Sequence, residues 1–174
     1  AEREKRGEGL TRPELSVLLA YAKLALHDAL LESSVPDDPY LATELVRYFP
    51  RALRDAYPDA IAGHRLRREI VATQLANAIV NRGGPALVPV LAALTRSEVP
   101  AIAAAYAIAR DSFDLIGLNG EIDALDARIP GRTQLGLYGA AQELVVDRMG
   151  WFLRRGAARP GAIEQTIAHY AKGV

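Results

Sequence analysis

An all-α fold, an irregular bundle of about six to eight helices with no sheet, is what this sequence predicts. Two observations predict it. Segments of helix length, with apolar residues at three- and four-residue spacing, alternate throughout with proline, glycine and aspartate breaks. Half of the 174 residues are hydrophobic but only 6% are aromatic, and alanine and leucine make up much of the apolar fraction. That composition suits helices packed closely through small side chains, whereas sheets favour β-branched and aromatic residues. A chain of this length forms one domain and buries roughly 70% of its unfolded surface.

Residues 1–9 are charged and contain two glycines, with nothing to bury, and are expected to be a linker leading into a single helical domain over residues 10–174. Thr11-Arg12-Pro13-Glu14 has the form of a capping box, in which the threonine hydroxyl and the glutamate carboxylate satisfy the first free amides. The helix it opens is expected to run to residue 33, with Leu15, Leu18, Leu19, Ala22, Leu26, Ala29 and Leu30 on one face. Val17, Leu24 and Leu31 repeat every seven residues on the opposite side, and two apolar faces imply two packing partners. Asp38 and Pro39 mark the next start, for a helix carrying Leu41, Leu45 and Tyr48; prolines 50 and 58 then cut the chain into one or two short pieces.

Residues 64–84 are expected to be the central helix, because Leu66, Ile70, Val71, Leu75, Ala76, Ile79 and Val80 cover most of its circumference. Uncharged polar groups interrupt that surface: Gln74, Asn77 and Asn81 share a face, with Arg67 at its upper end. Either this strip bonds the backbone of neighbouring loops, as buried amides normally do, or it borders a site for a ligand or partner. Gly83 and Gly84 can close the helix with a left-handed turn before Pro85. Helix composition continues over residues 86–94. Ser97 and Pro100 mark a further start, for an alanine-rich helix with Ile102, Tyr106, Ala109, Arg110 and Phe113 at helical spacing. Leu118-Asn119-Gly120 reads as a break, followed by a short helix over 121–129. A third long helix is expected over 133–155, its broad face backed by a heptad row of Leu137, Leu144 and Trp151; a last amphipathic helix follows over 160–170. The row either faces a partner surface or is covered by that last helix, which the short connection at residues 156–159 permits.

Twenty-one basic residues balance 21 acidic ones, so net charge draws the chain neither to nucleic acid nor to anionic membrane. Arg65, Arg67 and Arg68 splay round their helix and are expected to make salt bridges, such as Arg65 with Glu69. The absence of cysteine excludes disulfides and thiol chemistry, and no apolar run approaches the roughly 20 residues of a membrane span. A cytoplasmic protein is expected. His27, His64 and His169 lie far apart, and His27 and Asp28, being adjacent, should point to different sides of their helix. The residues alone therefore offer no catalytic, cofactor or metal site.

GLTRPELSVLLAYAKLAL, VPDDPYLATELVRYFP and HRLRREIVATQLANAIVNRGG, in this order and at these intervals, resemble the C-terminal region of the large bacterial NAD-specific glutamate dehydrogenases. The resemblance covers most of the chain, is strongest from residue 9 to 85, and persists in DLIGLNGEIDALDARIP. It implies oxidative deamination of L-glutamate to 2-oxoglutarate and ammonia, with NAD as hydride acceptor, by a much longer polypeptide. The catalytic residues and dinucleotide loop would lie upstream, leaving this segment with no bound NAD and a structural or assembly role. Its expected partners are the remaining domains of the same polypeptide and further copies of it. A freestanding helical interaction module is the alternative.

Overall fold

The computed structural model describes residues 9–171, so the expected linker lies outside the described residues apart from Gly9, which is exposed. Among the described residues there are ten α-helices and no strand. They are α1 (Arg12–Leu31), α2 (Ala42–Tyr48), α3 (Arg51–Ala56), α4 (Pro58–Ala62), α5 (Arg67–Gly83), α6 (Leu87–Thr95), α7 (Val99–Ser112), α8 (Leu115–Asp123), α9 (Gly131–Arg154) and α10 (Ile163–Tyr170), with 3-10 turns at Val35–Asp37 and Pro39–Leu41. The number exceeds six to eight; residues 42–62, cut at Pro50 and Pro58, fold as the expected helix and then two short ones, the upper end of the one or two short pieces expected after it.

The capping box at Thr11 forms in full, with Glu14 reaching back to the Thr11 amide at 2.8 Å. Asp38 accepts from the Tyr40 amide at 2.9 Å and starts the turn that feeds α2. Its other oxygen accepts from the Gly161 amide at 2.6 Å, which ties this corner to the entry of α10. Gly84 closes α5 at φ 80, in the left-handed region that glycine occupies without strain, and α6 then leaves at 86° to α5. The break near residue 118 is not there. Asp114 sits at φ 44 and accepts from the Gly117 amide, so α8 starts at Leu115 and runs through Asn119 and Gly120. The segment 124–129, expected to be helical, is a series of turns.

α1 lies along α5, α2 packs on α5, and α9 and α10 pack on α7. The fully enclosed helix is α7 rather than α5. Every residue from Ile102 to Arg110 is buried, and the alanines at 103, 104, 105, 107 and 109 let its neighbours approach on all sides. α5 buries Val71, Ala72, Leu75, Ala76, Ile79 and Val80 on one half and leaves the other half open, with Leu66 outside the helix and exposed. Arg68, instead of pairing along its own helix, donates to the carbonyls of Leu31 and Ser33 and pairs with Asp37, clamping the end of α1 to the start of α5.

Candidate functional site

The open half of α5 forms one wall of a cleft of about 380 Å³, whose other walls come from α2, α7, α8 and α9. An arginine holds its floor. Arg110, on the alanine-rich α7, is 5% exposed and Glu44 on α2 is 6% exposed. Arg110 Nη2 donates to Glu44 Oε1 and to Asp111 Oδ2, each at 2.7 Å, while Nε donates to Asp111 Oδ1 at 2.7 Å. Arg47 Nη1 donates to the same Glu44 oxygen at 3.1 Å, and the Tyr40 hydroxyl donates to Asp111 Oδ2 at 2.9 Å. Two guanidiniums thus meet two carboxylates, so the buried group is neutral as a whole and its charges are paired by hydrogen bonds.

Burial alone would lower the Arg110 pKa, but its bonds to Asp111 and the charge of Glu44 outweigh that and raise it. Burial, with the hydrogen bond to Asp111 adding to it, pushes the Tyr40 phenol up to about 12; burial also raises Tyr106, over whose ring Arg110 lies at 5.9 Å. Groups moved further from neutrality keep their protons at physiological pH and do not exchange them with a substrate. The cluster ties α2 to α7 through paired charges.

The sequence-chosen strip does not converge here as a unit. Gln74 and Asn81 border the cleft, Asn77 faces a different groove beside Lys23, Leu24 and His27, and Arg67 lies at the far end of α5 near Pro36 and Asp38. Gln74 and Asn77 are half-buried and Asn81 is exposed, and none of the three carboxamides makes a hydrogen bond with the described residues. Beside this strip, Arg82 lies over the Tyr138 ring at 5.7 Å, and the Tyr138 hydroxyl donates to Asp123, a bond that raises its pKa.

Sequence reasoning passed over Tyr40, Glu44 and Asp111, and saw Arg110 only as a point on a helical stripe. The signal was present: an arginine on a helix rich in alanine and isoleucine must bring its counter-charge along if it is buried. Nothing in the local spacing says that Glu44 is that counter-charge.

His27 and Asp28 do meet, with Nδ1 and Oδ1 3.0 Å apart, because their side chains swing together along the helix surface. His64 accepts from the Leu66 amide at 3.1 Å and so caps the turn before α5; His169 packs edge-on to Tyr170. Among the described residues no three His, Asp or Glu side chains come together as a metal site. The glycine pair 83–84 ends α5, where free carbonyls repel a phosphate, whereas dinucleotides sit at helix N-termini after a strand. That pair therefore does not form the kind of glycine turn that holds a dinucleotide.

Of the row Leu137, Leu144 and Trp151, the last is covered by α10: Tyr170 packs edge-on to Trp151 at 5.3 Å and to Phe152 at 5.2 Å, while Arg155 stacks on the indole at 4.4 Å. Leu144 is half-buried against the core, and Leu137, in the first half of α9, is exposed. The turn at 156–159 that allows this has Gly156 at φ 63 and Arg159 Nε donating to the Gly156 carbonyl.

Comparison with known proteins matches residues 7–174 to the family described as glutamate dehydrogenase, C-terminal. The chain is 44% identical over 154 residues to an NAD-specific glutamate dehydrogenase of Pseudomonas aeruginosa, covering 88% of this chain and 10% of that protein. It is 43% identical over 171 residues to that of Halomonas elongata, covering 98% of this chain and 10% of that protein. The protein of the same description from Mycobacterium tuberculosis is 46% identical over 84 residues, 48% of this chain and 5% of that protein. The chain thus spans about a tenth of the length of the first two relatives. No solved structure matches it.

Proposed function

Because the chain belongs to the glutamate dehydrogenase C-terminal family, we propose that it is the C-terminal helical part of an NAD-specific glutamate dehydrogenase that converts L-glutamate and NAD to 2-oxoglutarate, ammonia and NADH. The observation that carries this reading is the 43–44% identity along nearly the whole chain to proteins ten times its length that bear that description. NAD is the cofactor of the long enzyme; its binding turn and the reacting groups lie outside this segment. The segment's work is structural. Its buried Arg110–Glu44–Asp111 cluster locks α2 to α7, and the heptad row end at Leu137 is open to another part of the assembly. The proposed setting is cytoplasmic; no single helix among the described residues is long and apolar enough to cross a membrane.

Glutamate-dependent NADH production by the long polypeptide, none by the purified 174-residue chain, and no NAD binding by that chain in calorimetry are the expected results. NADH production by the isolated chain would refute the structural reading. A long polypeptide inactive toward glutamate would refute the assigned reaction.

A further inference from the structure

One helix carries two environments. Along α1 the apolar side chains pass from half-open to closed: Leu15 42%, Val17 56%, Leu18 44%, Tyr21 68% and Leu24 58% exposed, then Leu26 5% and Leu30 0%. Leu10, just before the capping threonine, is 55% exposed. Val17, Tyr21 and Leu24 stand at i, i+4 and i+7, a seam on the side of the helix away from Leu26 and Leu30. Leu18 and Tyr21 also wall an apolar groove of about 390 Å³ with Val80, Val88 and Val99. Val17, Tyr21 and Leu24 are each more than half exposed, and with the groove beside Leu18 they leave apolar surface of the kind that marks an interaction site on the first half of α1.

We propose that the first half of α1 and its groove are the seat of the upstream part of the same polypeptide, so that α1 belongs to two cores at once. This rests on the reading above, that the chain is the C-terminal part of a long enzyme. Two observations choose this occupant over a second copy. The matched relatives have about nine-tenths of their length outside the segment, and the family is a C-terminal one, so the missing chain joins at the end of α1 where the exposure lies. A neighbour tethered there is present at an effective concentration on the order of millimolar, far above that of a free copy in dilute solution. The chemistry expected of the occupant is an apolar surface that takes up Tyr21 and Leu24 and feeds side chains into the groove.

The test uses the long polypeptide with the photo-crosslinking amino acid p-benzoylphenylalanine at Tyr21, at Leu24, or at Ser16, which is exposed on the polar side of the same turns. Irradiation is expected to link positions 21 and 24 to a peptide upstream of residue 9 within one polypeptide, leaving its mass on a denaturing gel unchanged. Position 16 should give no such product. A band of doubled mass from position 21 or 24 would replace the upstream chain with a second copy and overturn the proposal. No product from 21 and 24, or equal product from 16, would overturn it as well. These outcomes leave the enzyme assignment standing, because glutamate-dependent activity is measured on the same sample. A cellular polypeptide of only 174 residues would overturn both.

Discussion

Replacing Arg110 by methionine removes a cation from the most enclosed helix while keeping much of its apolar stem volume. Two carboxylates then lose their principal partner: the side chains of Glu44 and Asp111 are 7% and 11% exposed, so water replaces the guanidinium poorly. Breaking a buried pair from one side costs about 3–5 kcal/mol, because an uncompensated charge is left behind. Two contacts moderate that here. Arg47 still donates to Glu44 at 3.1 Å and the Tyr40 hydroxyl to Asp111 at 2.9 Å, which places the expected loss near the lower end, about 3 kcal/mol. Urea unfolding at pH 7, followed by circular dichroism, reads this as a lower midpoint with unchanged slope. Adding Glu44→Gln to Arg110→Met removes one of the stranded charges and should recover part of the loss, although Glu44→Gln alone destabilises. A loss below about 1 kcal/mol in the single variant, or a further loss in the double one, would refute the claim that buried charge pairing holds α2 to α7.

Leu75→Ala, at a fully buried position on α5, is expected to cost about 2–5 kcal/mol in the same assay; a change within error would mean that α5 does not contribute to the core as packed. Tyr40 bears on alkaline stability. Its folded pKa, raised to about 12 from 10.0, stabilises the fold fully below pH 10, and that contribution is lost as pH climbs from 10 toward 12. Tyr40→Phe should therefore flatten that part of the pH–stability curve, and an unchanged curve would exclude the buried Tyr40 hydroxyl as its source. Tyr170→Ala uncovers the indole, so iodide quenching of Trp151, the single tryptophan, should rise in a chain shown by sedimentation to be monomeric; equal quenching in both proteins would contradict the packing of α10 on α9.

The all-helical class, the capping box at Thr11, the glycine stop after residue 83 and the boundaries of α9 follow from the sequence alone. Each depends on interactions within a few residues, where spacing fixes geometry. The fold of residues 113–130 was misread for a local reason too: Leu118-Asn119-Gly120 has break composition, but Asp114 caps the turn earlier, and the Asn119 amide donates to the Leu115 carbonyl inside α8. Family membership was also legible, since motif order and interval belong to the chain itself.

Which helix lies innermost was decided only by the tertiary structure. Apolar circumference pointed to residues 64–84, yet α7 is enclosed because its alanines admit α1, α9 and α10 together, a property of several facing surfaces that no single-helix pattern contains. The same holds for the polar groups. Helical spacing aligned Arg67, Gln74, Asn77 and Asn81, but neighbouring helices sort them into three separate grooves. Glu44 meets Arg110 across 66 positions of sequence because α2 and α7 converge on α5, and the two residues carry no mark of each other in the linear chain.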